Sequence, residues 1–234
     1  MTHDIPVYVA HYDKAPQRKA YLTNALKECG FSKAHFNSLY CDRNSIYNEE
    51  TIKLVDTTSF LCKRKFARAG MRSSYHILSH REPAYLGNFL NHISIWQQIA
   101  DGDDEYALVL EDDAVITNQQ ILCSQLENLP SDIDIGYLHA GCGFTLEKYY
   151  GIVPQRGELW VKTPKRLSRT MCTYVLSRTA AKRILEIVFP ISWPIDHEIN
   201  YLQNILHLNV YWTTEHGLAE GSADGSNAYK SLVR

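Results

Sequence analysis

Apolar residues along the chain fall into two kinds of block. Some are short β-branched and aromatic runs, and others are longer stretches in which apolar positions return every three or four residues. The first run, PVYVAHY (Pro6–Tyr12), is bounded by Asp13 and Pro16 and predicts a buried strand. The next segment, PQRKAYLTNALKECGF, opens on Pro16 and closes on Gly30, residue types favoured at the start of a helix and just past its end. Its apolar stripe is Tyr21, Leu22, Ala25, Leu26 and Cys29. AHFNSLY (Ala34–Tyr40) predicts a second strand, so the chain opens as a βαβ unit, and a right-handed crossover would make its strands parallel. Leu86, Phe89, Leu90, Ile93, Trp96, Ile99 and Ala100 then mark a helix that ends at Asp101-Gly102-Asp103-Asp104. YALVLEDDAVI follows as an apolar strand that runs into three acids. Further strands are expected at IDIGYLHAG (Ile133–Gly141), ELWVKT, TMCTYVLS and LNVYWTTE. Helices are expected over Thr179–Val188 and from about Asp196, with the Pro-bracketed turn FPISWPIDHE between them. The closing segment, GLAEGSADGSNAYKSLVR, reads as loop or flexible tail. No repeat or linker divides the 234 residues. The pattern reads as one α/β domain that opens with a parallel βαβ unit and ends in that tail.

Composition narrows the function classes. With 24 basic and 26 acidic residues the formal net charge is −2, which disfavours duplex nucleic-acid binding. No apolar run approaches the roughly 18 residues of a membrane span. The N-terminus lacks the layout of a secretory signal. Six cysteines are present without a CxxC pair, so reduced thiols in a cytoplasmic protein are expected. Cys62–Arg72 (CKRKFARAGMR) is a basic stretch without an acid. It could be a solvated face or a loop that meets a diphosphate.

Candidate chemistry concentrates at LVLEDDA (Leu108–Ala114). A buried strand ending in Glu111-Asp112-Asp113 would put carboxylates at the carboxyl edge of the sheet, where open α/β folds bind ligands. Oxygen donors of this kind suit Mg²⁺ or Mn²⁺ together with a substrate phosphate. If the pleat persists, Glu111 and Asp113 face one ion and Asp112 faces elsewhere. The competing reading is an acidic turn that caps a following helix. His216, after the last strand, could add an imidazole contact to the metal.

The ordered set of motifs resembles glycosyltransferase family 25, the lipopolysaccharide and collagen-type β-galactosyltransferase group. YVAHYDKAPQRK (Tyr8–Lys19) is similar to the family's opening strand and loop, and LYCDRN (Leu39–Asn44) to the end of its second strand. LGNFLNHISIW (Leu86–Trp96) is similar to its Gly-x-x-x-Ser-His helix, with Asn91 in place of the serine. CTYVLSRTAAKRIL and WPIDHEI are similar to its late Tyr-rich strand and Pro-x-Asp element. The resemblance spans about residues 5–222.

This resemblance implies an α/β, GT-A-like fold over residues 1–222, a single Rossmann-like domain with a mostly parallel central sheet flanked by helices and a flexible tail over 223–234, in which a divalent ion clamps a nucleotide diphosphate-sugar. It implies transfer of a sugar, with galactose as the first candidate, from a UDP-sugar to a hydroxyl of a glycan or glycolipid such as a lipopolysaccharide or capsule intermediate. Matching positions place His11, Asp13 and Arg18 near the nucleotide, Asp42 near base or ribose, and Asp112 near ribose or sugar. Arg18 could instead face water. His92 is placed with the nucleotide-binding residues, although it could equally be a structural histidine. Asp196 is the matching candidate for the base and Glu198 its reserve, while Asp196 could also cap its helix. A glycolipid acceptor would bring the basic stretch into peripheral contact with the inner membrane face. Two other readings remain open at this point: an inactive homologue that binds nucleotide-sugar or glycan, and a metal-dependent phosphohydrolase.

Overall fold

The computed structural model describes residues 5–32, 34–40, 46, 50–54, 83–139 and 141–222. Asp42, the basic stretch at 63–72 and the tail from 223 onward lie outside the described residues. The chain opens with β1 (Val7–Ala10), α1 (Pro16–Glu28) and β2 (Ala34–Asn37), the expected parallel βαβ unit. β2 ends at Asn37, short of the expected Tyr40, because the chain turns away there. The Tyr40 amide donates to the Asn91 side chain at 3.1 Å, and Asn37 Nδ2 donates to the Asn91 carbonyl at 3.1 Å. Asn91 belongs to α2 (Pro83–Asp101), the long helix read from its three-to-four repeat. Gly87 lets that helix approach the same turn, since a Cβ there would stand 2.5 Å from the Tyr40 carbonyl oxygen.

β3 (Tyr106–Glu111) and β4 (Ala114–Ile116) are separate strands. The run YALVLEDDAVI is therefore broken at Asp112-Asp113, which form a turn. α3 (Gln119–Glu127) is capped by Asn118, whose side chain accepts from the Ile121 amide, so neither aspartate serves as its cap. There follow β5 (Ile135–Tyr137), the short helix α4 (Leu146–Tyr150), β6 (Trp160–Lys162), β7 (Thr173–Ser177), α5 (Arg178–Leu185), α6 (Ile195–Ile205), β8 (Val210–Thr213) and β9 (Leu218–Glu220). β9 falls in a segment expected to be loop; it pairs antiparallel with β4, Ala114 opposite Glu220. Two partner strands with only three residues each give too short an alternation to read from sequence.

The main sheet has the order β2-β1-β3-β7-β5-β8-β6. Its pairings correct the expectation of a mostly parallel sheet. β1–β2, β1–β3 and β5–β8 are parallel, whereas β3–β7, β5–β7 and β6–β8 are antiparallel. Strand direction cannot be read from an apolar run, because a strand buried on both faces looks the same either way.

Alternation along the strands divides the core in two. Val7, Val9, Leu108, Leu110 and Val175 meet Leu22 and Leu26 of α1 and Leu122 and Leu126 of α3 on one face. Ala107, Val109, Tyr174 and Leu176 meet Phe89 and Trp96 of α2, Ile184 of α5 and Ile199 of α6 on the other. No helix among the described residues is long and apolar enough to cross a membrane.

Candidate active site

The reversed strand β7 has a direct consequence for the acidic end of β3. Because it runs antiparallel to β3, its first residues lie beside the last residues of β3, with Thr173 opposite Leu110. The Glu111 amide donates to the Cys172 carbonyl at 2.7 Å. A buried thiol is thereby set against the two candidate metal residues: ligand atoms of Glu111, Asp113 and Cys172 all lie within 4.8 Å of one another. Cys172 Sγ donates to Asp113 Oδ1 at 3.6 Å. Glu111 and Asp113 converge as expected, although the continuous pleat that predicted it is interrupted by the turn. Cys172 was not anticipated; a lone cysteine in a strand carries no signal of what it faces.

Asp112 points the other way, into the start of α1. Its Oδ1 accepts from Arg18 Nη1 at 2.8 Å, and its Oδ2 accepts from the Tyr12 amide at 2.8 Å and pairs with His11 Nδ1 at 2.9 Å. All three side chains are buried. Burial would raise the Asp112 carboxyl, but the hydrogen bonds from His11, Tyr12 and Arg18 outweigh it and hold the group below its ordinary range. Three of the residues assigned to a nucleotide thus form one anchor that ties the β1–α1 junction to the end of β3. Arg18 does not face water, and the Asp112 carboxylate is engaged within the protein rather than turned to a sugar. Asp13 is exposed in the turn before α1.

The opposite face of the turn is crowded with acids. Burial pushes Glu111 up to about 7 and Asp113 up to about 6, and Asp113 is raised further by Glu111. β9 brings Glu220 to the same place, and its charge raises both. Glu220 Oε1 accepts from Ser222, while its buried Oε2 has no hydrogen-bond partner among the described residues and lies 3.8 Å from His139 Nε2. Asp196, half-buried near the start of α6, is also pushed up to about 7 by burial and by Glu111. It does not cap its own helix. Its Oδ1 accepts from the Met171 amide at 2.8 Å, and Ser168 Oγ donates to its carbonyl at 3.2 Å.

Glu198 is corrected as a candidate base. It is fully buried, and its Oε2 accepts from the amides of Ser192 and Trp193 at 3.0 and 3.1 Å. It closes the turn that leads into α6, as a carboxylate satisfying orphan amides does at helix starts. His216 does not join the group of Glu111, Asp113 and Cys172. Its Nδ1 lies 3.5 Å from Thr213 Oγ1, and burial, with Arg169 and His139 nearby, lowers it to about 4. His92 is wholly buried rather than at a polar margin, with Nε2 3.3 Å from Glu111 Oε1 and Nδ1 2.8 Å from the Tyr174 hydroxyl. Asn88, one turn earlier on α2, donates to the same Glu111 oxygen at 2.7 Å.

The segment between Ser168 and Cys172 joins these parts. Thr170 has a φ of 76°, a left-handed conformation unfavourable for a β-branched residue. Its hydroxyl meets His139 Nε2 at 3.1 Å. On either side of it, Met171 holds Asp196, and Arg169 is buried over the Trp212 ring, donating to the carbonyls of Phe144 and Thr213.

The sequence model of glycosyltransferase family 25 (LPS biosynthesis protein) matches residues 4–144. The chain belongs to glycosyltransferase family 25. No curated protein sequence matches it. The span matched to family 25 carries β1 through β5, and with them the Asp112 anchor, Glu111, Asp113 and the Asn88–His92 face of α2. Cys172, Asp196 and Glu220 reach the same place from the part of the chain beyond it.

Proposed function

We propose that this family 25 protein is an inverting, GT-A-like hexosyltransferase that moves a sugar from a UDP-sugar to a hydroxyl of a glycan or glycolipid. Galactose is the first candidate sugar, and a lipopolysaccharide or capsule intermediate is the first candidate acceptor. The observation that carries the reading is the convergence of Glu111 and Asp113 at the carboxyl edge of β3, with Asp196 close enough for the Glu111 charge to raise it, in a chain of this family.

The residues fit a divalent cation. Two carboxylates raised by burial and by their like-charged neighbours, with a thiol within reach, form a site short of positive charge. Glu111 and Asp113 would hold Mn²⁺ or Mg²⁺, with Cys172 beside them. A bound ion would supply charge stabilisation to the departing diphosphate. The protein's own part is positional. The Asp112 anchor fixes the turn, so that Asp113 stays on the side opposite α1. Asp196 has one oxygen tied to Met171 and the other without a hydrogen bond among the described residues, so it can take the proton of the acceptor hydroxyl. A carboxyl near 7 is suited to that task at neutral pH. The acceptor oxygen then bonds to the anomeric carbon as the nucleotide diphosphate leaves from the other face.

A screen of nucleotide-sugars with and without Mn²⁺, read as a rise in melting temperature, tests the donor class. A UDP-sugar should stabilise the wild-type protein only when Mn²⁺ is present, and should fail to stabilise Asp113→Asn. Stabilisation that survives excess chelator would refute the metal-dependent reading. Donor binding without transfer to any glycan or to water would mark a binding homologue instead.

A further inference from the structure

Donor and acceptor counting around His92 fixes more than its distances do. The Trp96 indole Nε1 can only donate, and it lies 2.8 Å from the Tyr174 oxygen. That oxygen therefore accepts from Trp96, and the hydroxyl proton is left for His92 Nδ1, also at 2.8 Å. All three side chains are wholly buried. If His92 carried its proton on Nδ1, the Tyr174 proton would have no acceptor among the described residues, a costly loss at a buried site. The bare Nε2 lone pair would also face a carboxylate. Both ends of the ring demand the same tautomer: Nδ1 accepts from Tyr174, and Nε2–H donates to Glu111 Oε1 at 3.3 Å.

Asn88 and His92, four residues apart on α2, then place two donors on a single oxygen of Glu111, with Asn88 at 2.7 Å. The second oxygen, Oε2, carries no hydrogen bond among the described residues and remains available to a ligand. We propose that the buried chain Trp96–Tyr174–His92 is a positioning device: it locks His92 as the Nε2–H tautomer, which together with Asn88 holds Oε1 of Glu111 and presents Oε2 to the cation. His92 and Tyr174 are thus positioning residues for the site and make no contact with donor or acceptor. The inference rests on the metal-site reading of Glu111 for its consequence, but the tautomer itself does not.

The outer partners of metal-ligating groups typically set affinity by roughly 10- to 100-fold. Two substitutions separate the two ends of the ring. In His92→Gln the side-chain amide can still donate towards Glu111. In His92→Asn the shorter amide can still meet Tyr174 but does not extend to Glu111. Titration calorimetry with MnCl₂ alone should show His92→Gln close to the wild type and His92→Asn roughly 10-fold weaker or worse. Equal affinity of His92→Asn and the wild type, or equal loss in both variants, would overturn the positioning role. The tautomer is read separately, from proton–nitrogen couplings of ¹⁵N-histidine-labelled protein without metal. The wild type should show the proton on Nε2; Tyr174→Phe, in which Nδ1 loses its donor while Glu111 still selects Nε2–H, should move the Nδ1 resonance without moving the proton. A proton on Nδ1 in the wild type overturns the proposal. A wild type that shows the Nε2–H tautomer yet binds no Mn²⁺ would instead refute the metal reading of the site, and with it the proposed consequence for Glu111.

Discussion

Asp112 and Asp113 are neighbours of identical chemistry, and the structure assigns them opposite energetic roles. Replacing Asp112 by Asn removes the charge that faces buried Arg18 at 2.8 Å and puts an amide where three donors converged. Breaking one partner of a buried ion pair costs about 3–5 kcal/mol. The lower end, about 3 kcal/mol, applies here, because the amide oxygen can still accept from one of the three. For a chain of this size each kcal/mol lowers the melting temperature by about 2–4 °C, so Asp112→Asn should melt about 6–12 °C lower.

Asp113→Asn should do the reverse. Its carboxyl is raised from 3.8 to about 6, so at neutral pH the ionised form opposes folding. At about 1.4 kcal/mol per unit, removing that charge gains up to about 3 kcal/mol. Denaturation followed by circular dichroism at neutral pH in EDTA measures both variants without any substrate. The expected pattern is a lower melting temperature for Asp112→Asn, and an unchanged or higher one for Asp113→Asn together with loss of Mn²⁺ binding. Equal destabilisation by the two substitutions would refute the division of the turn into an anchor and a ligand-facing side.

The cluster also predicts a pH dependence for the metal-free protein. Asp113, Glu111 and Asp196 have folded values raised to about 6, 7 and 7, so their contribution to stability falls as pH rises from about 4 to about 7, against an opposite contribution over the same range from His92 and His216, which burial lowers to about 4. Urea midpoints across that range in EDTA, compared between the wild type and Asp113→Asn, isolate the acid contribution: the wild type should lose stability relative to the variant as pH rises, and parallel profiles would contradict it. Asp196→Asn should lower kcat by at least about 100-fold while leaving donor-induced stabilisation intact, whereas Glu198→Gln should act on melting temperature first. Gly87→Ala should lower the melting temperature even though alanine is favoured in helices by about 1 kcal/mol, because its Cβ would stand 2.5 Å from the Tyr40 carbonyl oxygen.

Which parts of this were readable from the chain follows from the range over which each signal acts. The α1 boundaries come from Pro16 and Gly30, and α2 from a repeat long enough to leave no alternative, so both helices stand close to their expected limits. Glu111 and Asp113 converge as their spacing suggested, but through the turn at Asp112-Asp113 rather than along a continuous pleat. What the chain did not disclose depends on pairing partners far away. The role of Asp112 is set by Arg18, ninety-four positions earlier, and that of Cys172 by the direction of β7. The helical spacing of Asn88 and His92 was visible, but with Glu111 nineteen positions beyond His92, nothing local said that both would meet one carboxylate oxygen. Glu198 misled for the same reason: a carboxylate two residues after Asp196 looks equally available until the inward turn of α6 spends it on the Ser192 and Trp193 amides.

The reversal of β7 decides how the site can be built at all. In a wholly parallel sheet the strand beside β3 would end, rather than begin, next to Glu111. The residues entering that strand would then lie at the opposite edge, about 17–20 Å away for a strand of ordinary length. With β7 antiparallel, the residues just before it, Met171 and Cys172, arrive at the acidic turn instead. Cys172 meets Asp113, and the amide of Met171 holds Asp196. The strained Thr170 sits at the entrance to this approach, where the chain must bend sharply enough to pass His139 and still align Cys172 with Glu111. The family-matched part of the chain thus supplies the acidic turn, and the residues entering the reversed strand bring Cys172 to it and a backbone amide to Asp196. A mixed sheet, unreadable from the apolar pattern, is the physical condition for bringing the two together.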